Sequence, residues 1–539
     1  MKCVCLLWGC LLFSTGSVVP VCVGEMFTSL LNVRQAISVE RKLIDELKTY
    51  IDHEWERLED IKRFYSKVSH LHSDTYRGSP NAMANPLVAF TLIKRLHSEW
   101  LNVVYSHEAS ENAEALRSSY EEEEANLPKL EDLRGAARGL MRLQDVYALH
   151  VASLASGRFR RVADGKLVEV YKPAVSVSLS GDDCFLVGKV AYEQEDYYHS
   201  VPWLEESVQL FRGPGGEWSP ENEGTLEDAL DHLAFSHFKT GNISHALSLS
   251  QELLHHDPMN GRVLENVEKY ERLLIARPPA SLRDRGLTRP TSKYLRTRDT
   301  YERLCQTQSS QNRRLFCDYF TNGSPALTMM PVRREVLSLR PYVVRYHDFI
   351  TDAESDDIKT LAKQGLRRSV VAAGEKQATA DYRISKSAWL KDTAHSMVGK
   401  LDRRISALTG LNVTHPFGEH LQVVNYGIGG HYEPHFDHAT SPSSPVFRLN
   451  TGNRVATFMI YLSSVEAGGA TAFIYADFSV PVMKNSAIFW WNLHRSGAGD
   501  DNTLHAGCPV LIGDKWVANK WIHEHGQEFR HACSLNPEE

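Results

Sequence analysis

The stretch HYEPHFD, residues 431–437, contains two histidines and two carboxylates. A helical pair of zinc ligands, as in H-E-x-x-H, is excluded because Pro434 lies between His431 and His435 and would break the helix. The stretch is therefore predicted to be extended. Alternate residues of a strand point to the same side, so His435 and Asp437 form an H-x-D pair that could hold a metal ion.

A metal site on this pair needs a third ligand from elsewhere in the chain. His494 and His505 both follow in the sequence. Two imidazoles and one carboxylate on Fe(II) leave positions open for a bidentate 2-oxo acid and for O2. The far carboxylate of such an acid needs a cation. Lys515 follows His505 by ten residues, whereas Leu504 holds that offset from His494, so His505 and Lys515 are predicted to complete the site.

The elements that must position these residues have a β-like pattern after about Val332. The runs 455–464, 486–494 and 515–522 are short apolar or alternating segments, separated by turns such as EAGGA. Such strands predict a jelly roll, a double-stranded β-helix, or a similar double sheet.

The N-terminal region is predicted to be helical. Between residues 30 and 68, positions spaced alternately by three and four are apolar in ten of twelve cases. This period predicts a coiled coil that joins two copies of the chain; the alternative is a long helix folded back on its own domain. Residues 86–105 and 131–150 carry further helical patterns, and the charged run 118–132 between them is predicted to be a solvated loop.

Residues 184–274 have the small-residue rhythm of a tetratricopeptide helix pair, with Ala234, Gly241, Ala246, Leu253 and Pro258. Such a pair leaves a groove for extended peptide. The segment is also rich in aromatic residues, which either form its core or line the groove, where they would suit a polyproline II ligand. The candidate peptide-binding residues are Tyr192, Tyr197, Tyr198, Phe235 and Phe238.

Length and composition limit the class of protein. A chain of 539 residues is too long for one core. Its net charge of −7 gives no electrostatic case for nucleic acid. Residues 1–24 are typical of a cleaved signal peptide, with a membrane anchor as the alternative, and no later segment is long and apolar enough to span a membrane. A soluble, secretory-pathway protein is expected, and the sequons at Asn242, Asn322 and Asn412 predict glycosylation.

Cysteine spacing suggests disulfides in that oxidising compartment. The close pairs are Cys305 with Cys317 and Cys508 with Cys533, which leaves Cys184 over. Spacing alone does not fix the connectivity.

Several stretches resemble the collagen prolyl 4-hydroxylase α subunit. In the catalytic region they are HYEPHFD, GNRVATFMIYLS, EAGGATAF and HAGCPVLIGDKWVANKWIHEHGQEF. RLQDVYALH and DDCFLVGKVAYEQEDYYH resemble the same family, so the likeness covers essentially the whole mature chain. The region 301–330, with TNGSPAL, is most similar to the third vertebrate isoform.

The resemblance implies roles for individual residues. His435, Asp437 and His505 would hold the iron, and Lys515 would pair with the distal carboxylate of 2-oxoglutarate. His523 matches a histidine that helps to position the near carboxylate, although the residues alone do not separate it from His525. Tyr426 matches a tyrosine that flanks the cosubstrate pocket.

The resemblance also implies a reaction and partners. The reaction is 4-hydroxylation of proline in X-Pro-Gly sequences of procollagen, coupled to conversion of 2-oxoglutarate and O2 to succinate and CO2, with L-ascorbate to restore oxidised iron. The family forms an α2β2 tetramer with protein disulfide isomerase in the endoplasmic reticulum lumen, and pairs the same close cysteines. The chain ends SLNPEE without a KDEL-type signal, so a retained partner is expected.

One segment departs from the better-known isoforms. LDHLAFSHF places His232, Phe235 and Phe238 where those isoforms have tyrosines, so the affinity for proline-rich peptide is expected to differ. The rival hypotheses are an oxygenase with lysyl or non-collagen prolyl targets, a scaffold with a dead oxygenase domain, and a zinc hydrolase.

The predicted organisation is a multidomain α + β protein. Its parts are a signal peptide (1–24), a helical coiled-coil dimerisation domain (25–157), a tetratricopeptide-like peptide-binding domain (175–275), a linker (276–332) and a dioxygenase domain (333–539).

Overall fold

The computed structural model describes residues 25–76, 85–214, 216, 219–276, 287, 289, 297–307, 315–373 and 376–536. The predicted signal peptide, residues 1–24, and most of the proline- and arginine-rich segment 276–296 lie outside the described residues. The chain divides into two compact units: residues 35–127 form one, and residues 25–34 with 128–539 form the other. The predicted 25–157 domain is thus split between the two units.

The smaller unit is helical. Its helices are α1 (Leu30–His70, whose first residues belong to the larger unit), α2 (Pro86–Lys94), α3 (Trp100–Val104) and α4 (Glu108–Glu123). The ring of Phe64 on α1 meets Trp100 edge-on at 5.2 Å, and Asn112 on α4 donates a 2.9 Å hydrogen bond to Glu54. The prediction of a loop at 118–132 is wrong at 118–123, which end α4, and at 130–132, which begin α5. A run of glutamates is compatible with a helix when α1 supplies a cation such as Lys42, which pairs with Glu123.

The apolar heptad face of α1 is exposed within this unit. Its side chains are about half exposed, as in Ile37 (64%), Ile44 (58%) and Ile51 (55%). Within the described residues of this unit, the face is therefore not covered by other helices. The coiled coil between two copies stays a prediction.

The larger unit begins with helices and a hairpin. In chain order these are α5 (Leu130–Val146), α6 (Val151–Ala155), β1 (Phe159–Ala163), β2 (Lys166–Tyr171), α7 (Gly181–Glu193), α8 (Tyr197–Arg212), α9 (Leu226–Thr240), α10 (Ile243–His256), α11 (Gly261–Ala276) and α12 (Arg298–Gln306).

Helices α7 to α11 pack in sequence as neighbouring pairs, as the small-residue rhythm predicts. A Cβ on Gly188 of α7 would lie 2.7 Å from Leu204 of α8, so these helices approach too closely for any larger residue. Helix α9 begins with a capping box of Thr225 and Asp228 and ends at Gly241, whose φ of +91° favours glycine.

The remaining elements are three helices and two main sheets. The helices are α13 (Pro325–Met329), α14 (Asp352–Lys363) and α15 (Ser396–Thr409). The strands are β3 (Cys317–Phe320), β4 (Val332–Leu339), β5 (Tyr342–Tyr346), β6 (Arg367–Arg368), β7 (Val371–Ala373), β8 (Lys376–Ala378), β9 (Ser385–Leu390), β10 (Leu421–Tyr426), β11 (Tyr432–His435), β12 (Arg454–Tyr461), β13 (Ala467–Gly468), β14 (Thr471–Phe473), β15 (Phe478–Val480), β16 (Ala487–Trp491), β17 (His505–Gly507), β18 (Val510–Ile512) and β19 (Trp516–His523).

The larger sheet has the strand order β3-β4-β5-β16-β12-β19-β10-β9-β6, and the smaller has the order β11-β17-β14-β15. Residues from both sheets share one apolar cluster, for example Val424, Met459 and Trp490 from the larger sheet and Phe473 and Val480 from the smaller. The outer face of the larger sheet packs on α14 and α15. The predicted double sheet is therefore present, and the strands predicted at 455–464, 486–494 and 515–522 correspond to β12, β16 and β19.

The predicted linker 276–332 contains regular structure. Helix α12 buries Tyr301, Leu304 and Cys305, whose spacing is that of one helix face. Strand β3 is one of the two edge strands of the larger sheet. The apolar face of α12 has only three residues, which is too few to predict a helix within a polar sequence.

The predicted cysteine pairing is wrong in this structure. Cys305 on α12 is bonded to Cys508, which follows β17, because α12 packs against β14 and β15 of the same sheet. Cys317 on the edge strand β3 and Cys533 are exposed thiols, and Cys184 is a buried one.

Candidate iron and cosubstrate site

The predicted metal ligands meet at the paired ends of two strands. His435 ends β11 and lies opposite His505, which begins β17. The Nε2 atom of His435 is 3.8 Å from Asp437 Oδ1, and Nε2 of His505 is 3.7 Å from Asp437 Oδ2. All three ligand atoms lie within 4.8 Å of one another. His494, the rejected alternative, instead lies 3.9 Å from Asp500.

Backbone contacts orient both imidazoles for a metal. Nδ1 of His435 donates to the Glu433 carbonyl at 2.7 Å, and Nδ1 of His505 donates to the Thr503 carbonyl at 2.9 Å. The second nitrogen of each ring, Nε2, is then the unprotonated donor that faces the cluster. Such second contacts are typical of metal-binding histidines.

Asp437 is held by a short chain of polar side chains. The Thr457 hydroxyl donates to Asp437 Oδ2 at 2.8 Å, and Asn492 Nδ2 donates to the Thr457 hydroxyl at 2.9 Å. All three residues are buried. Two imidazoles and one fixed carboxylate are the donor set that non-haem Fe(II) oxygenases use, so the residues present fit Fe(II).

Burial and charge set the protonation of these groups. Burial would raise the pKa of Asp437, but His505 and His435 lower it to about 2. Burial, with the neighbouring His505, lowers the pKa of His435 to about 3. An ionised carboxylate beside a neutral imidazole is the state that binds a metal cation.

Lys515 lines one cavity together with the three predicted metal ligands. The cavity, of about 40 Å³, is lined by His435, Asp437, His505, Lys515 and Tyr426 among others. Lys515 is 1% exposed, and its ammonium lies 4.7 Å from the Tyr426 ring centre. No carboxylate of the described residues forms an ion pair with it, and burial lowers its pKa to about 7. A buried cation without a counter-charge is suited to the carboxylate of a ligand.

Tyr426 and His523 occupy different positions. Tyr426, at the end of β10, lines the cavity, as the family resemblance implies. His523, at the end of β19, is fully buried, and its ring nitrogens contact Glu419 at 3.1 Å and the Gly452 carbonyl at 3.0 Å. It does not line the cavity beside Lys515, so its proposed role toward the near carboxylate stays a prediction.

A wider groove of about 610 Å³ opens outside the metal ligands and shares His435 and Asp437 with the inner cavity. Tyr432 stacks on His435 at 3.5 Å between ring centres, and the Arg383 guanidinium lies 4.6 Å from the Tyr432 ring. Trp389 and Trp521 line the groove 5.9 Å apart. Sequence reasoning missed these four residues. Tyr432 and Trp521 had a signal, because they lie inside HYEPHFD and KWVANKWI.

The structure gathers four of the five predicted peptide-binding aromatics. Ring-centre distances are 6.1 Å for Tyr192 with Tyr197, 5.6 Å for Tyr192 with Phe235, and 6.0 Å for Phe235 with Phe238. All four side chains are half-buried, so they are neither pure core nor fully exposed.

Tyr198 does not join this cluster. Its ring packs against His199 at 4.9 Å, and His199 in turn contacts Asp145 of α5. Adjacent residues on a helix point about 100° apart, so Tyr197 and Tyr198 could not both face the groove. His232, which the sequence analysis names with Phe235 and Phe238 but which is not among the five candidates, joins the cluster, with its ring centre 4.7 Å from that of Tyr192.

The three sequons lie at local structural positions. Asn242 caps the N-terminus of α10, and Asn322 is exposed. The side-chain oxygen of Asn412 accepts a 2.9 Å hydrogen bond from the hydroxyl of Thr414, the third residue of the same sequon. None of the helices in the described ranges combines the length and apolar character that a bilayer span requires.

Three known protein families match successive parts of the chain. Residues 29–161 match the family described as prolyl 4-hydroxylase alpha-subunit, N-terminal region. Residues 181–276 match the prolyl 4-hydroxylase peptide-substrate-binding domain, and residues 421–523 match the 2OG-Fe(II) oxygenase superfamily.

Similar proteins extend over nearly the whole chain. Prolyl 4-hydroxylase subunit alpha-3 of Bos taurus is 60% identical over 96% of this chain and 95% of its own length, and that of Homo sapiens has the same values. Prolyl 4-hydroxylase subunit alpha-1 of Rattus norvegicus is 38% identical over 98% of this chain and 99% of its own.

The double sheet with its His435–Asp437–His505 cluster therefore defines an iron(II)- and 2-oxoglutarate-dependent oxygenase. The similarity to prolyl 4-hydroxylase α subunits over almost the entire chain identifies the family within this class of oxygenases. The chain belongs to the prolyl 4-hydroxylase α-subunit family, is most similar to its alpha-3 members among these relatives, and is a prolyl hydroxylase.

Proposed function

We propose that this chain 4-hydroxylates proline in X-Pro-Gly sequences of procollagen chains, with 2-oxoglutarate and O2 as cosubstrates. One observation carries the proposal. The cavity that His435, Asp437 and His505 line is also lined by Lys515, a buried cation without a carboxylate partner among the described residues. A zinc hydrolase does not need a cation that binds the carboxylate of an oxo acid, so this lysine argues against that hypothesis.

The residues of the cavity have separable tasks. His435, Asp437 and His505 would hold Fe(II), and Lys515 would bind the distal carboxylate of 2-oxoglutarate. When bound, Fe(II) supplies the O2 activation that converts 2-oxoglutarate to succinate and CO2 and places one oxygen atom on C4 of proline. Met459 and Trp490 line the same cavity and exclude water from the reacting atoms.

The two aromatic surfaces suit a proline-rich chain. The half-buried cluster of Tyr192, Tyr197, Phe235 and Phe238 offers flat rings to a polyproline II helix. The groove outside the metal ligands offers Trp389 and Trp521. The first surface would hold the substrate chain while a proline enters the second, which is expected for a substrate with many repeated sites.

The assembly belongs to the same proposal. The exposed heptad face of α1 supports a coiled coil between two copies of this chain, and the relatives are named as subunits. We therefore propose an α2β2 tetramer with protein disulfide isomerase in the endoplasmic reticulum lumen, with a cleaved signal peptide, glycosylated sequons and ascorbate as the reductant of the iron. The catalytic double sheet is proposed to be a double-stranded β-helix.

Mass spectrometry of a (Pro-Pro-Gly) repeat peptide tests the reaction. The peptide is incubated with the full chain, co-expressed with protein disulfide isomerase, with Fe(II), 2-oxoglutarate and ascorbate. We expect one added oxygen on the proline before glycine, and none with the His505→Ala variant. Succinate with unmodified peptide would mean an oxygenase with another target, such as lysyl residues. No turnover would favour a scaffold.

A further inference from the structure

A second group of metal-ligating side chains lies in the helical part of the larger unit, outside the catalytic sheets. It consists of Glu205 on α8, His237 on α9 and His245 on α10, whose ligand atoms lie within 4.8 Å of one another. These helices are packed neighbours, α8 on α9 and α9 on α10. No short sequence motif joins the three residues, so only the packing of the helices brings them together.

The spacing of this group matches that of the iron site. The ring centres of His237 and His245 are 4.5 Å apart, against 4.4 Å for His435 and His505. The carboxylate of Glu205 is 3.4 Å from His237 Nε2, and that of Asp437 is 3.7 Å from His505 Nε2. Both groups thus provide two imidazoles and one carboxylate whose ligand atoms lie within 4.8 Å of one another.

His237 supplies an independent reason to expect a ligand. Its side chain is 6% exposed, and its Nε2 atom makes no hydrogen bond among the described residues. This is the ring nitrogen that faces Glu205. A buried polar nitrogen without a hydrogen bond is unfavourable, and a metal ion at this point would satisfy it.

We propose that Glu205, His237 and His245 bind a divalent transition-metal ion of the Zn²⁺ class. Imidazole with carboxylate suits Zn²⁺, Co²⁺, Ni²⁺ or Cu²⁺, whereas Ca²⁺ and Mg²⁺ require oxygen ligands. Glu205 is 47% exposed, which leaves a path from solvent and room for water as a further ligand. The ion would tie α8, α9 and α10 together behind the aromatic groove, since α9 also carries Phe235 and Phe238.

Zn²⁺ binding by the full chain, with its co-expressed partner, tests the site. Equilibrium dialysis with metal analysis is done in the His505→Ala background, which removes the iron site. Adding His237→Gln should remove one Zn²⁺ equivalent per chain, and metal held by the partner cancels in the difference. His255→Gln is the matched control, because His255 is an exposed histidine of α10 outside both groups. It should lose nothing.

Glu205→Gln guards against a folding defect at the buried His237, because Glu205 lies at the surface. It should weaken Zn²⁺ binding at least about tenfold while the circular dichroism spectrum stays unchanged. Zn²⁺ should also raise the unfolding temperature of the His505→Ala chain but not that of the chain that also carries His237→Gln. Equal Zn²⁺ binding by His505→Ala with and without His237→Gln and Glu205→Gln would overturn the proposal. These readouts do not depend on hydroxylase activity.

Discussion

Ser29 and Asn425 are joined by a hydrogen bond although 396 positions separate them in sequence: the Ser29 hydroxyl donates to Asn425 Oδ1 at 2.5 Å. Asn425 in turn donates to Asp514 Oδ1 at 2.7 Å and to the Lys515 carbonyl at 3.3 Å. Arg34 pairs with Asp514 at 3.1 Å. The segment 25–34 thus holds the turn from which the buried lysine enters the cosubstrate cavity.

Ser29→Ala should therefore weaken cosubstrate binding without removing a cavity residue. Loss of one hydrogen bond of about 0.5–1.5 kcal/mol corresponds to a KM for 2-oxoglutarate raised roughly two- to tenfold, with kcat changed less. Steady-state kinetics at saturating peptide measures both. Ser38→Ala, which removes an exposed hydroxyl of α1, is the control. A fall in kcat with an unchanged KM would contradict the positioning role.

The affinity for 2-oxoglutarate should depend on pH through Lys515. Burial lowers the pKa of this lysine from 10.5 to about 7, and only the protonated form attracts a carboxylate. Above about pH 7 the free protein loses this proton, so KM for 2-oxoglutarate should rise by up to roughly tenfold per pH unit. Below that pH the charge is present and this dependence disappears.

Initial rates from pH 6 to 9 check the prediction. The KM for the peptide serves as the internal comparison. A KM for 2-oxoglutarate that stays flat from pH 7 to 9 would show that the ammonium remains charged in the free protein.

Thr457→Val should lower the affinity for Fe(II). The variant removes the 2.8 Å hydrogen bond to Asp437 Oδ2 and leaves all three ligands in place. Loss of such a supporting contact typically weakens metal binding 10- to 100-fold, or about 1.4–2.7 kcal/mol. The Fe(II) concentration for half-maximal activity should rise accordingly, and saturating Fe(II) should restore turnover.

Thr409→Val provides the comparison for that variant, because its hydroxyl donates to the Ile405 carbonyl at 2.8 Å and accepts from the Leu411 N–H at 3.2 Å, both away from the metal ligands. If Thr457→Val lost turnover that excess Fe(II) could not restore, the hydroxyl would have a role other than holding Asp437.

The paired substitution His232→Tyr with Phe235→Tyr should tighten the binding of poly(L-proline). Both rings contact Tyr192 in the aromatic cluster, and each new phenol hydroxyl could donate to a ligand carbonyl. A gain of about 0.5–1.5 kcal/mol per hydrogen bond predicts a Kd lowered at least about twofold. Calorimetric titration of the full chain measures it. Tyr319→Phe, at an exposed position of β3, should have no effect. An unchanged Kd would mean that the absent hydroxyls do not explain the departure from other isoforms.

The disulfide should join Cys305 to Cys508. Because it closes a loop of about 200 residues, Cys305→Ser should destabilise the fold by about 2–5 kcal/mol, whereas Cys317→Ser should cost less than about 0.5 kcal/mol. Non-reducing peptide mapping identifies the linked pair, and denaturant unfolding gives the free energies. A peptide that links Cys305 to Cys317 would restore the pairing expected from spacing.

The sequence by itself determined the local chemistry of the catalytic site. Pro434 excludes a helix, and strand alternation then puts His435 and Asp437 on one side. The charge requirement of a 2-oxo acid selects His505 and Lys515. The structure places these four residues in one cavity. The first inference depends on backbone geometry over a few residues, and the second on the charge that a 2-oxo acid requires, so neither needs the packing of distant elements to be known.

The tertiary structure alone decided the long-range partnerships. Cys305 pairs with Cys508 because α12 packs on the smaller sheet, and Tyr198 turns away from the groove because α8 has an inner and an outer face. The supports of Lys515 and the Glu205–His237–His245 group come from separate elements. Their formation depends on how helices and sheets pack, which the spacing of residues along the chain does not predict.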